Sequence, residues 1–113
     1  MKLYILEDDP TVIAVLEQII ESNDLGTVCG DSADDMPSIE QIMQAGPDII
    51  LMDFLMPHRD GVATLRQLRA AGCKARCIMI SQVLKEMQRQ ELLFTRQLTG
   101  EKLLRIMQIT VLQ

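Results

Sequence analysis

Asp48-Ile49-Ile50-Leu51-Met52-Asp53 is a continuous apolar run closed by a carboxylate. A run that is apolar at every position rather than at alternate ones is buried on both faces, as a central strand of a parallel sheet is. Upstream, Ala45-Gly46-Pro47 stops a helix whose stripe is Ile39, Ile42 and Met43, and Asp34 and Asp35 ahead of Pro37 read as its start. Thr27-Val28-Cys29, lying between Gly26 and Gly30, is a short strand. Further back, Asp9-Pro10 opens a helix, with Asp as N-cap and Pro in the first turn. Val12, Val15, Leu16 and Ile19 follow at helical spacing, widened by Ile13 and Ile20, until Asn23-Asp24-Leu25-Gly26 ends it. The chain begins with another short apolar run, Lys2 to Leu6, cut off by Glu7-Asp8-Asp9, which reads as a buried strand.

Downstream, the loop from Phe54 to Asp60 contains Met56-Pro57 and ends at Gly61. Val62, Leu65 and Leu68 mark a third helix, terminated by Gly72. Arg76 to Ser81 is a fourth strand ending on a small polar residue. Strand and helix thus alternate, which predicts an α/β fold: a doubly wound parallel sheet with helices on both faces. Ligands of such sheets bind outside the carboxyl ends of the strands. Those ends carry Glu7, Asp8, Asp53 and Ser81.

The 113 residues, 48% apolar and 24% charged, suit one packed domain and not disorder. No apolar stretch approaches the roughly 18–20 residues of a membrane span. Leu3 to Leu6 is too short for the core of a signal peptide. Cys29, Cys73 and Cys77 form no zinc-type pair and no disulfide framework, so reduced thiols in a cytoplasmic protein are expected. The net charge of −5 is unevenly placed: residues 1–60 carry 13 acids and 2 bases, residues 61–113 carry 3 acids and 9 bases. An acidic first half argues against nucleic-acid binding there and suits a site that collects carboxylates for a cation. The basic second half suits a partner surface or a weak nucleic-acid patch, and more simply a solvated helix face, which is the preferred reading.

A carboxylate at the end of a buried strand is costly unless something compensates it. Glu7-Asp8 and Asp53 converge in the expected topology, and like charges so close either raise a pKa or hold a cation. Oxygen ligands with positions left for water and phosphate suit Mg²⁺. A carboxylate beside Mg²⁺ can attack phosphorus to give an acyl phosphate, and a hydroxyl at the neighbouring strand end, Ser81, can bond a phosphoryl oxygen.

These residues resemble the receiver domain of two-component response regulators, a flavodoxin-like fold. The matching pieces are Ile5-Leu6-Glu7-Asp8-Asp9, Leu51-Met52-Asp53-Phe54-Leu55-Met56-Pro57 with Gly61, and Ile78-Met79-Ile80-Ser81. The resemblance implies that Asp53 is the phospho-acceptor and that Glu7 and Asp8 are the acidic pair that holds Mg²⁺ with Asp53. It also implies that the Leu55 carbonyl is a further metal ligand and Ser81 the switch hydroxyl. Asp9 is an alternative member of the pair, although its place before Pro10 fits a cap. His58 and Lys85 are expected to face solvent, and most of the eight methionines to fill the core.

Beyond Met87 the pattern departs from the family. A receiver should continue with a fourth helix, a fifth strand ending in Lys-Pro, and a fifth helix, but no proline follows Pro57. The family lysine is therefore missing, and Lys102, near the expected distance from Ser81, has no apolar strand before it. Residues 1–87 read as a receiver-like core and residues 88–113 as an atypical helical tail, in which the fifth strand and helix are altered or missing. Gln88 to Leu98 is a polar helical pattern. Leu103, Leu104, Ile106 and Met107 suit a helix and Ile109 to Leu112 a strand; a helix through the end is the preferred reading. One sheet edge is then exposed, and a homodimer through residues 82–113 would cover it. A tail altered from its original sequence would leave the same pattern.

The expected function is a phosphorylation-controlled signal receiver. It would take a phosphoryl group from a sensor histidine kinase onto Asp53 with Mg²⁺, and then switch partner or dimer contacts. It is expected to act on no metabolite and to bind neither nucleic acid nor membrane within this chain. The alternative is a receiver-like interaction module that no longer switches, because the lysine and fifth strand are missing.

Overall fold

The computed structural model describes residues 1–32, 36–53, 55–57, 59–80 and 111–112. Strand β1 (Lys2–Leu6) leads into helix α1 (Pro10–Ser22), β2 (Thr27–Asp31), α2 (Ile39–Ala45) and β3 (Ile49–Met52). A small hairpin, β4 (Leu55–Met56) and β5 (Arg59–Asp60), precedes α3 (Gly61–Ala70) and β6 (Arg76–Met79), and β7 (Val111–Leu112) lies near the end of the chain. The main sheet has the order β2-β1-β3-β6-β7. Its first four strands are parallel.

Alternation along each strand sorts the core into two layers. Leu3 and Ile5, Ile49 and Leu51, and Ile78 pack on one face against Ile13, Leu16, Ile19 and Ile20 of α1. Tyr4 and Leu6, Ile50 and Met52, and Cys77 pack on the other against Ile42 of α2 and Leu68 of α3. Every residue of β3 is buried, as its unbroken apolar run predicts. Asp48 anchors the opposite end: its carboxylate accepts the Lys2 amide at 2.8 Å and its carbonyl the Arg76 amide at 3.0 Å.

Several local expectations need correction. In α1, Val15 is 39% exposed, and the buried stripe is Ile13, Leu16, Ile19 and Ile20. Helix α2 is capped by Ser38, not by an aspartate ahead of Pro37: the Ser38 hydroxyl accepts the Gln41 amide at 3.1 Å and the Gln41 side chain accepts the Ser38 amide at 2.8 Å. This reciprocal pair satisfies two helix-end donors. Asp34 and Asp35 lie outside the described residues. Strand β2 runs on through Gly30 to Asp31 because Gly30 has no Cβ; one built there would sit 2.4 Å from Cε2 of the Tyr4 ring.

The edge of β6 differs most. The preferred reading of a helix through the end does not hold at Val111 and Leu112, which pair with Ile78 and Cys77 as an antiparallel strand. The unpaired amides and carbonyls of a sheet edge favour a strand there over a helix that local spacing allows. The expected bare edge is thus occupied by the chain itself. Because β7 runs against its neighbours, its leaving end points away from the carboxyl ends of β1 and β3. A lysine leaving this strand would not arrive at the acidic end.

Candidate phosphoryl-acceptor site

Two adjacent strands bring the carboxylates together. The β1–β3 register pairs Leu6 with Met52, and the Asp53 amide donates to the Leu6 carbonyl at 2.9 Å. Glu7 and Asp53 therefore leave the sheet side by side. Among the described residues, Glu7, Asp8 and Asp53 each offer a carboxylate oxygen, and these oxygens lie within 4.8 Å of one another. Glu7 is buried, Asp53 half-buried and Asp8 exposed, so the cluster opens to solvent on one side.

Glu7 is held in place by the chain around it. One of its carboxylate oxygens accepts the Asp8 amide at 3.0 Å and the Asp9 amide at 3.2 Å. Burial, hydrogen bonding with Asp8, and the charge and hydrogen bonding of Asp53 push the Glu7 carboxyl up to about 7, against a smaller lowering by the Asp9 amide. A proton shared among crowded carboxylates does in part what a cation would do fully. Asp9 turns away to cap α1, its Oδ1 accepting the Thr11 amide at 2.9 Å.

The donor set fits a hard divalent ion. Octahedral Mg²⁺ with bonds of about 2.0–2.1 Å places its oxygens about 3–4 Å apart, so a small contraction of the cluster would suffice. Glu7, Asp8 and Asp53 would hold it, and the open side leaves room for water or a phosphoryl oxygen.

The backbone of Leu55, two residues past Asp53, opens the β4–β5 hairpin. Asp60 at its far end caps α3, its Oδ1 accepting the Val62 amide at 2.9 Å and the Ala63 amide at 3.3 Å. Ser81, His58, Lys85 and Lys102 lie outside the described residues, as does the pattern from Gln88 to Leu98.

Two residues near the site escape sequence reasoning. The Ser32 hydroxyl, buried just past β2, bonds the backbone of Glu7. Arg59 reaches from the hairpin to donate to the Pro37 carbonyl, while its Nη1 is buried with no hydrogen-bond partner among the described residues. A serine after Gly30-Asp31 and an arginine in a loop carry no pattern that foretells either contact.

A mostly parallel sheet, helices on both faces and a cluster of carboxylates at the carboxyl ends of neighbouring strands define a flavodoxin-like α/β protein with an acidic end. The family model described as the response regulator receiver domain matches residues 3–98, and the chain belongs to that family. It is a phosphorylation-controlled signal receiver of the two-component type.

Among curated proteins, the chain is 44% identical over 87 residues to the transcriptional regulatory protein GlnL of Bacillus subtilis, covering 74% of this chain and 26% of GlnL. It is 36% identical over 79 residues to the probable C4-dicarboxylate response regulator DctR of Priestia megaterium, covering 70% of this chain and 35% of DctR. The chain thus spans about a quarter to a third of these relatives' lengths. Among solved structures, it resembles the signal receiver domain of a modulated diguanylate cyclase from Desulfovibrio desulfuricans G20, described as an example of alternate folding. That match has a TM-score of 0.57 and 29% identity, and covers 96% of this chain and 92% of that one. The family membership favours a switching receiver over a module that has lost its switch. No helix among the described residues is long and apolar enough to cross a membrane.

Proposed function

We propose that Asp53 is the phospho-acceptor and that Glu7, Asp8, Asp53 and the Leu55 carbonyl hold Mg²⁺. The observation that carries this reading is the convergence of three carboxylates within 4.8 Å at the carboxyl ends of β1 and β3. The Asp53 carboxylate attacks the phosphorus of a phosphohistidine on a sensor kinase. A P–O bond forms, the P–N bond breaks, and the leaving imidazole takes up a proton. Mg²⁺ would offset the charge gathered between the phosphoryl oxygens and the acidic pair. Glu7, pinned by two amides, keeps its place while Asp53 reacts.

In this reading Ser81 is the switch hydroxyl, bonding the phosphoryl group after transfer. Residues 1–87 form the switching core, and residues 88–113 carry the contacts whose change is the output. The chain works in the cytoplasm. Its own chemistry is limited to accepting and losing the phosphoryl group, and any DNA-directed output belongs to another domain or partner.

The test is incubation with a small phosphodonor and Mg²⁺, read by intact mass. A gain of one phosphoryl group in the wild type and none in Asp53→Asn is expected. A gain of equal size in Asp53→Asn would move the acceptor elsewhere.

A further inference from the structure

We propose that Ser32 is a positioning residue of the acidic centre, its buried hydroxyl fixing the backbone from which Glu7 meets Asp8 and Asp53. This inference rests on the reading of those three carboxylates as a Mg²⁺ site.

The need for Ser32 begins with an irregularity in the sheet. Leu3 pairs with Val28 but Tyr4 with Gly30, so Cys29 is an extra residue in β2. Such a bulge disturbs the ladder and leaves backbone groups to be met by other means. The Cys29 thiol donates to the Leu3 carbonyl at 3.4 Å. The regular pairing ends at Ile5 with Asp31, two residues before Glu7.

Beyond that point a side chain replaces the missing strand. The Glu7 amide donates to Ser32 Oγ at 2.8 Å, and Ser32 Oγ donates to the Glu7 carbonyl at 2.6 Å. The Ile5 carbonyl, at 3.5 Å, is the longer alternative acceptor. Ser32 is 5% exposed and Glu7 4%, so water does not readily substitute. Glu7 is consequently held at its amide, its carbonyl and one carboxylate oxygen.

Removing the hydroxyl leaves a buried amide and a buried carbonyl of Glu7 unpaired. The available relief is a shift of the Glu7 backbone toward solvent, which carries its carboxylate away from Asp53. Mg²⁺ demands near-ideal oxygen geometry, so a displacement of part of an ångström is felt in affinity. Asp53 itself stays anchored through Leu6, so the reacting oxygen keeps its place.

The experiment compares wild type, Ser32→Ala and Ser32→Cys by Mg²⁺ titration and by the Mg²⁺ dependence of phosphorylation with a small phosphodonor. The Cys variant is nearly isosteric and lacks the strong hydrogen bonds, so it decides the matter if the Ala variant does not fold. Both variants should need roughly tenfold more Mg²⁺ for half-saturation, the loss expected from an orphaned buried pair. Their rates at saturating Mg²⁺ should stay near wild type. A role in packing alone would lower melting temperature without moving the Mg²⁺ midpoint, and that result overturns the proposal. If the wild type itself binds no Mg²⁺, the metal-site reading falls and this inference with it.

Discussion

The Asp53 amide donates to the Leu6 carbonyl at 2.9 Å, the last bond of the β1–β3 ladder. This bond sets Asp53 one residue beyond β3 and level with Glu7, one residue beyond β1. The acidic site is therefore a property of strand register, and changes that spare the register should alter chemistry without unfolding the protein.

Asp8 is the exposed member of the carboxylate cluster. Asp8→Asn removes one charge where no core packing depends on it. Mg²⁺ affinity should fall at least roughly tenfold, since even residues that only support metal ligands cost about 10–100-fold. The melting temperature without metal should hold or rise, because crowding of like charges is relieved. Unchanged affinity in a calorimetric titration would place the ion elsewhere.

Glu7 gives the metal-free protein a pH dependence. Its carboxyl is raised from 4.5 to about 7 in the folded state, chiefly by burial. A raised carboxyl binds its proton more tightly when folded, so its stabilisation is complete below the unfolded value and is lost as pH rises through about 7. Glu17 acts in the same direction: hydrogen bonding with Asp31 first, then burial, raises it to about 7. In a chelator, the melting temperature should thus fall as pH rises from about 4.5 to about 7 and level off above that. Glu17→Gln should remove its share of that slope, and Mg²⁺ should cancel the share of Glu7. A flat chelator profile would show that neither carboxyl is raised.

Gly30 and Tyr4 form a lock between β2 and β1. A Cβ at Gly30 would lie 2.4 Å from Tyr4 Cε2 and 2.9 Å from Cζ, so the ring has to move or the strands part. Gly30→Ala should destabilise by about 1–3 kcal/mol, the usual cost of overpacking. Combining it with Tyr4→Ala should cost less than the sum of the two changes, because the clash vanishes with the ring. Additive losses in denaturant melts would show that the glycine serves another purpose.

Strand β7 shields the outer edge of β6 through pairs Cys77–Leu112 and Ile78–Val111. Deleting residues 111–113 should expose that edge and promote self-association, seen as an increased mass in light scattering. A deletion variant whose mass matches the full chain at every concentration would mean that the edge is protected otherwise.

Much of this architecture is legible in the sequence, for a physical reason in each case. The unbroken run Ile49 to Met52 can be satisfied only by burial on both faces, and the structure buries all of it. Asp9-Pro10 specifies a helix start through local backbone chemistry, and Asp9 caps α1 accordingly. The positions of Glu7, Asp8 and Asp53 at strand ends follow from the same apolar runs, so the sequence alone marks these three carboxylates.

What the sequence determined by itself was the alternation of strand and helix and the acids that end the strands, because period and termination are local. What tertiary structure decided was everything that depends on a neighbour. Val15 fits the helical stripe by spacing yet faces outward, since the sheet contacts the Ile13, Leu16 and Ile20 side of α1. Ser32 gains its place only because an extra residue in β2 leaves the Glu7 backbone without a strand partner. Val111 and Leu112, compatible with helix or strand, become strand because β6 offers unpaired backbone groups. Hydrogen bonds across a sheet join residues far apart in the chain, and no local pattern records which of them will meet.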